Sequence, residues 1–155
     1  MLIRTANEKD LNGIVELWKE FMDFHSNLDA AFTRSEDGHE EFYKIAKEKI
    51  SDPNWQLFVA ESNNQIIGYC VAGIEKLPLV FLFHEYGYVE DIAVTQNYRN
   101  KGIGKKLVSE IIKWFEAKNV TRVELNLLAN NVETEKFWTG MGFNVFTKRM
   151  IKNLK

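Results

Sequence analysis

The chain has a single cysteine, Cys70, among 155 residues. A lone cysteine closes no intrachain disulfide, and no ligand cluster surrounds it in the sequence, so neither an oxidised scaffold nor a zinc site is expected. Strong charge of one sign is also missing. Twenty Lys and Arg against 22 Asp and Glu leave a formal net charge of -2, which argues against a nucleic-acid partner held by a basic surface. The longest apolar run, "LPLVFLF" at 77–83, falls far short of the roughly 20 residues a helix needs to cross a bilayer. The N-terminus has no basic region followed by an apolar one, so the expectation is a cytoplasmic protein with no targeting segment and no membrane partner. His25, His39 and His84 are scattered, without ligand spacing, and predict no metal.

What is present fits one compact domain over residues 1–155: 45% of the residues are hydrophobic and 27% charged. After an apolar start, Leu11, Ile14, Val15, Trp18, Phe21 and Met22 recur at helical spacing within 7–24, with Thr5 and Glu8 as a capping box. A second helix is predicted where Phe42, Ile45, Ala46, Lys49 and Ile50 share one side, ended by "SDPN". Apolar runs at 56–61 and 65–74 flank the polar "SNN" and read as an antiparallel hairpin. Then come a strand at 86–94, a helix at 101–118, a strand at 122–128, a short helix at 132–139 and a last strand at 143–151. Strand, helix, strand in that order is a crossover unit with a parallel pair.

Between the strand at 86–94 and its helix lies Arg99-Asn100-Lys101-Gly102-Ile103-Gly104. Glycines two apart let the backbone turn sharply and leave the first N–H groups of the helix uncovered, an arrangement that attracts an anion such as a diphosphate. Lys101, Lys105 and Lys106 add positive charge. The same glycines also suit a plain tight loop. No P-loop string is present, and Leu107 stands where a dinucleotide fingerprint has its third glycine.

"YVEDIAVTQNYRNKGIGKKLV" resembles the acyl-CoA binding motif of the GNAT superfamily of N-acetyltransferases, Gln/Arg-x-x-Gly-x-Gly/Ala, and "NVETEKFWTGMGF", Asn131 to Phe143, resembles its second signature, Asn-x-x-Ala-x-x-Phe-Tyr-x-x-x-Gly-Phe. The resemblance implies a mixed α/β fold: a central twisted mixed sheet of about six or seven strands with a splayed parallel pair, flanked by about four helices. It implies acetyl-CoA as co-substrate, held by backbone groups along Ile92, Ala93 and Val94 and by Arg99, Asn100, Lys101, Gly102, Ile103, Gly104 and Lys105, with Asn131, Phe137 and Trp138 completing the site. Read alone, Asn131 is a helix N-cap, and Trp138 a core aromatic.

Acetylation of an amine needs a neutral nitrogen, and an alkylammonium has a pKa near 10.4, so a base must remove a proton. Glu90 is the candidate: strand alternation sets it on one face with Tyr86, Tyr88 and Ile92, and Asp91 on the other. A glutamate at this place is also the base implied by resemblance to diamine acetyltransferases. Trp138 stands where the family has its usual acid, a tyrosine, so Tyr86, Tyr88 and Tyr98 are the candidates to protonate the leaving thiolate, with Tyr88 taken forward. Acceptor choice is expected from 21–41 and 76–85. The acids Asp23, Asp29, Glu36, Asp37, Glu40 and Glu41 favour a small cationic amine such as a polyamine. The alternatives are a protein N-terminal or lysine acetyltransferase and a non-catalytic acyl-CoA binding module. An exposed edge strand near the C-terminus permits a homodimer.

Overall fold

The computed structural model describes residues 1–154. In chain order the elements are β1 (Leu2–Thr5), α1 (Leu11–Leu28), α2 (Gly38–Ser51), β2 (Trp55–Ser62), β3 (Gln65–Lys76), β4 (Glu85–Val94), α3 (Ile103–Ala117), β5 (Val123–Leu125) and α4 (Val132–Thr139). The strands form one sheet in the order β1-β2-β3-β4-β5, antiparallel except for the parallel β4/β5 pair joined through α3. This is the mixed α/β architecture expected, with its crossover unit in place.

Local chemistry explains the joints. The β2–β3 hairpin turns on Asn63 and Asn64, at φ 51° and 60°, a left-handed pair that a two-residue turn requires and asparagine tolerates. The capping box before α1 falls on Asn7 and Asp10 rather than on Thr5 and Glu8. Asn7 Oδ1 accepts from the Lys9 N–H at 3.0 Å, and Asp10 accepts from the Asn7 N–H at 2.8 Å, around a 3₁₀ turn at Glu8–Asp10. Arg4 decides this: its guanidinium grips both Asp10 oxygens at 2.7 and 2.8 Å and also Glu61 of β2 at 2.6 Å. Those bonds hold the Asp10 carboxyl below the usual range in spite of its burial.

Two cores sandwich the sheet. On one face Leu11, Ile14, Leu17 and Trp18 of α1 and Phe42 and Ala46 of α2 pack on Leu57, Val59, Tyr69 and Val71. Trp18 and Phe42 stack at 4.6 Å and 8°. On the other face Leu107, Val108, Ile111 and Phe115 of α3 and Trp138 of α4 cover Ala60, Ile67, Cys70, Ala72 and Val89. Cys70 is fully buried, and burial drives its thiol pKa well up, which makes it a small core residue rather than a nucleophile.

The sheet departs from expectation at its far edge. Five strands are found among the described residues rather than six or seven. The strand predicted at 122–128 is cut to Val123–Leu125, and the one predicted at 143–151 is not formed. A strand needs a paired edge and a surface to bury one face against. Val145, Phe146, Met150 and Ile151 are the apolar residues such a strand would bury, yet within this chain they lie open to solvent.

Candidate active site

β5 pairs with β4 at only three positions, Gly87 with Val123, Tyr88 with Glu124 and Val89 with Leu125. From Asp91 to Val94, β4 keeps its β3 partner while its opposite edge has none among the described residues. The break begins at a bulge: Val71 faces Asp91 and Ala72 faces Val89, which leaves Glu90 as the extra residue. A bulge bends its strand and steepens the twist, so β4 parts from β5 here and opens a gap lined by unpaired backbone.

The same bulge corrects the faces read from simple alternation. Asp91 and Ala93 lie opposite Val71 and Tyr69, and Tyr88 opposite Gly73, all on the α1/α2 side. Ile92 and Val94 join Val89 on the α3 side. Asp91 therefore shares a face with Tyr86 and Tyr88, while Ile92 does not. Glu90 reaches the α1/α2 side too, where its carboxylate is hydrogen-bonded to Lys49 of α2.

At the end of the gap the chain turns through a 3₁₀ segment at Gln96–Tyr98 into α3. Gly102 caps α3 at φ 77°, and a Cβ there would meet nothing within 4 Å, so the space over the helix start is open. The first helical bond is Lys106 N–H to Gly102 O. No acceptor among the described residues takes the N–H groups of Ile103, Gly104 and Lys105, and no side chain caps them. Unpaired donors at a helix N-terminus fit an anion. Two of the expected cofactor side chains are engaged within the loop: Arg99 Nε donates to Val94 O at 2.9 Å, and Lys101 Nζ to Asn97 O at 3.0 Å. Both serve to brace the turn, while Asn100 takes φ 59° to make it.

α4 closes the third side. Asn131, 4% exposed, caps it by accepting from the Thr134 N–H at 3.3 Å. Phe137 stands 3.4 Å from where a Gly104 Cβ would lie, with Ile92 at 3.9 Å from the same point. Glycine at 104 thus lets α3, α4 and β4 meet at the gap. Trp138 packs edge-on between Phe137 and Phe143, at 5.1 and 5.0 Å, inside the α3-side core.

Titratable groups gather where the gap opens. Asp91 has its carboxyl pushed up to about 7, first by burial and then by the charge of Glu90, with Lys49 opposing. Tyr69 is wholly buried beside these acids, with its hydroxyl within reach of the Asp91 carboxyl. Tyr88 spans the gap: Asn126 Nδ2 donates to its hydroxyl at 3.2 Å, and burial raises its pKa, keeping its proton in place. Thr95 bonds Glu20 of α1 at 3.1 Å, and Asn130 bonds Leu28 O at 3.1 Å, so the end of α1 is tied to both rims.

Sequence reasoning missed Lys49, Trp55, Tyr69 and Asn126 as members of this site. A signal existed for one of them, since Lys49 sits on the apolar side of α2. The others are ordinary strand and loop residues until β2, β3 and β4 align. Gly73 then leaves room for the Trp55 ring, which a Cβ would strike at 2.6 Å, and the Lys49 ammonium lies 3.7 Å from that ring's centroid.

Compared with known proteins, residues 14–143 match the model of the Acetyltransferase (GNAT) family. The L-ornithine N5-acetyltransferase NATA1 of Arabidopsis thaliana is 34% identical over 101 residues, 63% of this chain and 42% of that protein. The chain thus spans less than half the length of that relative. A mutant of the BH1408 protein of Bacillus halodurans superposes with a TM-score of 0.88 at 21% identity, covering 100% of both chains. The aminoglycoside N-acetyltransferase AAC(6')-Iy in complex with CoA superposes with a TM-score of 0.72 at 21% identity, covering 99% of this chain and 98% of that one. These two structures share the fold.

Proposed function

The chain belongs to the Acetyltransferase (GNAT) family, and from that premise we propose that it transfers an acetyl group from acetyl-CoA to the primary amine of a small cationic acceptor. The observation that carries this reading is the parting of β4 from β5 beyond Val89, beside a helix start whose first N–H donors have no partner among the described residues. An extended chain with hydrogen-bonding groups can lie along Ile92, Ala93 and Val94, and a diphosphate can sit on the N–H groups of the 100–105 segment. Lys105 adds its charge, Arg99 and Lys101 hold the loop in shape, and Asn131, Phe137 and Trp138 wall the far side.

Acetyl-CoA supplies an activated thioester carbonyl and a sulfur leaving group. Glu90 accepts a proton from the acceptor's ammonium at its carboxylate, with Asp91 beside it. Tyr88 holds the proton that the sulfur takes: its oxygen is occupied as an acceptor by Asn126, so its O–H points its donor elsewhere. Trp138 excludes water. Two carboxylates in the gap and the acidic α1–α2 connection favour a cationic acceptor over a peptide, and a carboxylate pair kept beside the gap favours an enzyme over a silent acyl-CoA binder. The ornithine and aminoglycoside acetyltransferases among its relatives are named for amine acceptors of this kind. A cytoplasmic location and a homodimer belong to the same reading.

Thiol release from acetyl-CoA against polyamines, ornithine, aminoglycosides and peptides, with wild type and Glu90→Gln in parallel, tests it. Turnover of a small amine that falls about 10²–10⁴-fold in the variant is expected. Binding of acetyl-CoA with no CoA release for any amine refutes transfer, and unchanged turnover in Glu90→Gln refutes the base.

A further inference from the structure

Lys49 is an unusual resident of its surroundings. It lies in the last turn of α2 with its side chain only 14% exposed, and its ammonium is held against the Glu90 carboxylate and over the Trp55 ring at 3.7 Å. Asp91 follows Glu90 and lies on the same face of β4 as Tyr88. An aromatic face and a carboxylate holding one ammonium, with a second carboxyl next in the chain, are the components of a recognition site for an alkylammonium. Tyr69, wholly buried, brings its hydroxyl to the Asp91 carboxyl and so fixes that acid beside Glu90.

The place is as telling as the composition. Glu90 is the first residue of β4 beyond its last pair with β5, so the ammonium sits at the mouth of the gap. Trp55, Gly73 and Tyr88 lie in one row across β2, β3 and β4, and the row ends at the Tyr88–Asn126 contact that bridges the gap. Lys49 enters from the helix layer, at the end of α2, where its flexible four-carbon stem can swing out past the helix terminus.

We propose that Trp55, Glu90 and Asp91 form the subsite for the acceptor's ammonium, that Lys49 fills it when no acceptor is bound, and that a primary alkylammonium binds by displacing Lys49. The inference deepens the acetyl-transfer reading and rests on it for the word acceptor. Lys49 is then an internal competitor: it keeps Glu90 paired in the resting protein and sets a threshold that only a cation overcomes. Neutral amines and alcohols of the same size gain nothing from the exchange. Because apparent affinity scales with the fraction of molecules whose subsite is free, removing the competitor raises it.

Calorimetric titration of 1,4-diaminobutane into the protein without acetyl-CoA reads this directly, with 1,4-butanediol as the uncharged comparison. Lys49→Met, which keeps the stem over Trp55 and removes the charge, is expected to bind the diamine about tenfold more tightly than wild type, with the diol unaffected. Adding Glu90→Gln or Trp55→Leu to Lys49→Met should cancel the gain. Unchanged or weaker diamine binding by Lys49→Met, or no measurable binding at all, overturns the proposal and makes Lys49 a structural partner of Glu90. Lys49→Gln provides the same reading should the methionine variant melt early. The acetyl-transfer reading fails separately, through acetyl-CoA that binds and is never consumed.

Discussion

Asp91 concentrates the physical chemistry of single residues in this molecule. Its carboxyl titrates near 7 in the folded chain, against about 3.9 in an unfolded one, so the native state binds the proton more tightly. Its stabilising contribution is therefore complete below about pH 4 and is lost as pH rises toward 7. Asp91→Asn should raise the melting temperature at pH 8, by an amount corresponding to roughly 1–3 kcal/mol, and leave it unchanged near pH 4. In the wild type the KM for a cationic amine should rise as pH falls through about 7, because protonation removes one of the two charges facing the ammonium. Asp91→Asn should have a high KM without that step. Melting curves and amine titrations at pH 4, 6, 7 and 8 check both, and a wild-type KM flat across that range would remove Asp91 from the subsite. None of this was readable from "YVEDIAV". Alternation along a strand is a rule for regular pairing, and the bulge at Glu90 that brings Asp91 round depends on how β3 lies beside β4.

Among the elements, α4 has a double duty that one residue can separate. Asn131 caps the helix by accepting from Thr134, and in the proposed function it also borders the acyl-CoA site. Asn131→Ala should cost about 1 kcal/mol of stability and weaken acetyl-CoA binding several-fold. Asn131→Asp keeps a capping oxygen and should restore the melting temperature, while a negative charge near the anionic cofactor leaves binding weak. Thermal melts and acetyl-CoA titrations of the two variants separate the duties, and recovery of both properties in Asn131→Asp would leave Asn131 as a cap alone. The elements themselves were largely legible: α1, α2, α3, α4 and the hairpin follow from apolar spacing and turn chemistry. The cap at α1 moved because Arg4, Asp10 and Glu61 come together from three separate segments, which no local window contains.

At the scale of the whole molecule, apolar surface gathers at the open side of the sheet. Leu79, Val80, Phe81 and Leu82 are exposed before β4, as are Val145, Phe146, Met150 and Ile151 after α4. Arg122 lies between the two segments, 5.9 Å from the Phe83 ring and 4.1 Å from that of Phe146. Among the described residues, β5 beside them has one unpaired edge. So much exposed apolar surface beside an unpaired edge favours association, and the homodimer of the proposed function would bury it. Sedimentation velocity should show twice the chain mass, shifted to a single mass in the Leu82→Lys, Phe146→Lys double variant. A monomeric wild type at tens of micromolar would end that expectation.

The sequence by itself determined the order of the elements, the glycine turn into α3 and the family, because these are written in short-range spacing: apolar period, turn residues and two motifs. The tertiary structure decided how far β5 follows β4, which acids share a face, and that a lysine on the apolar side of α2 meets Glu90 across 41 residues of chain. Those outcomes come from pairing and packing between distant segments, where a bulge, a glycine that admits a ring or a missing partner edge overrules what each segment would do alone.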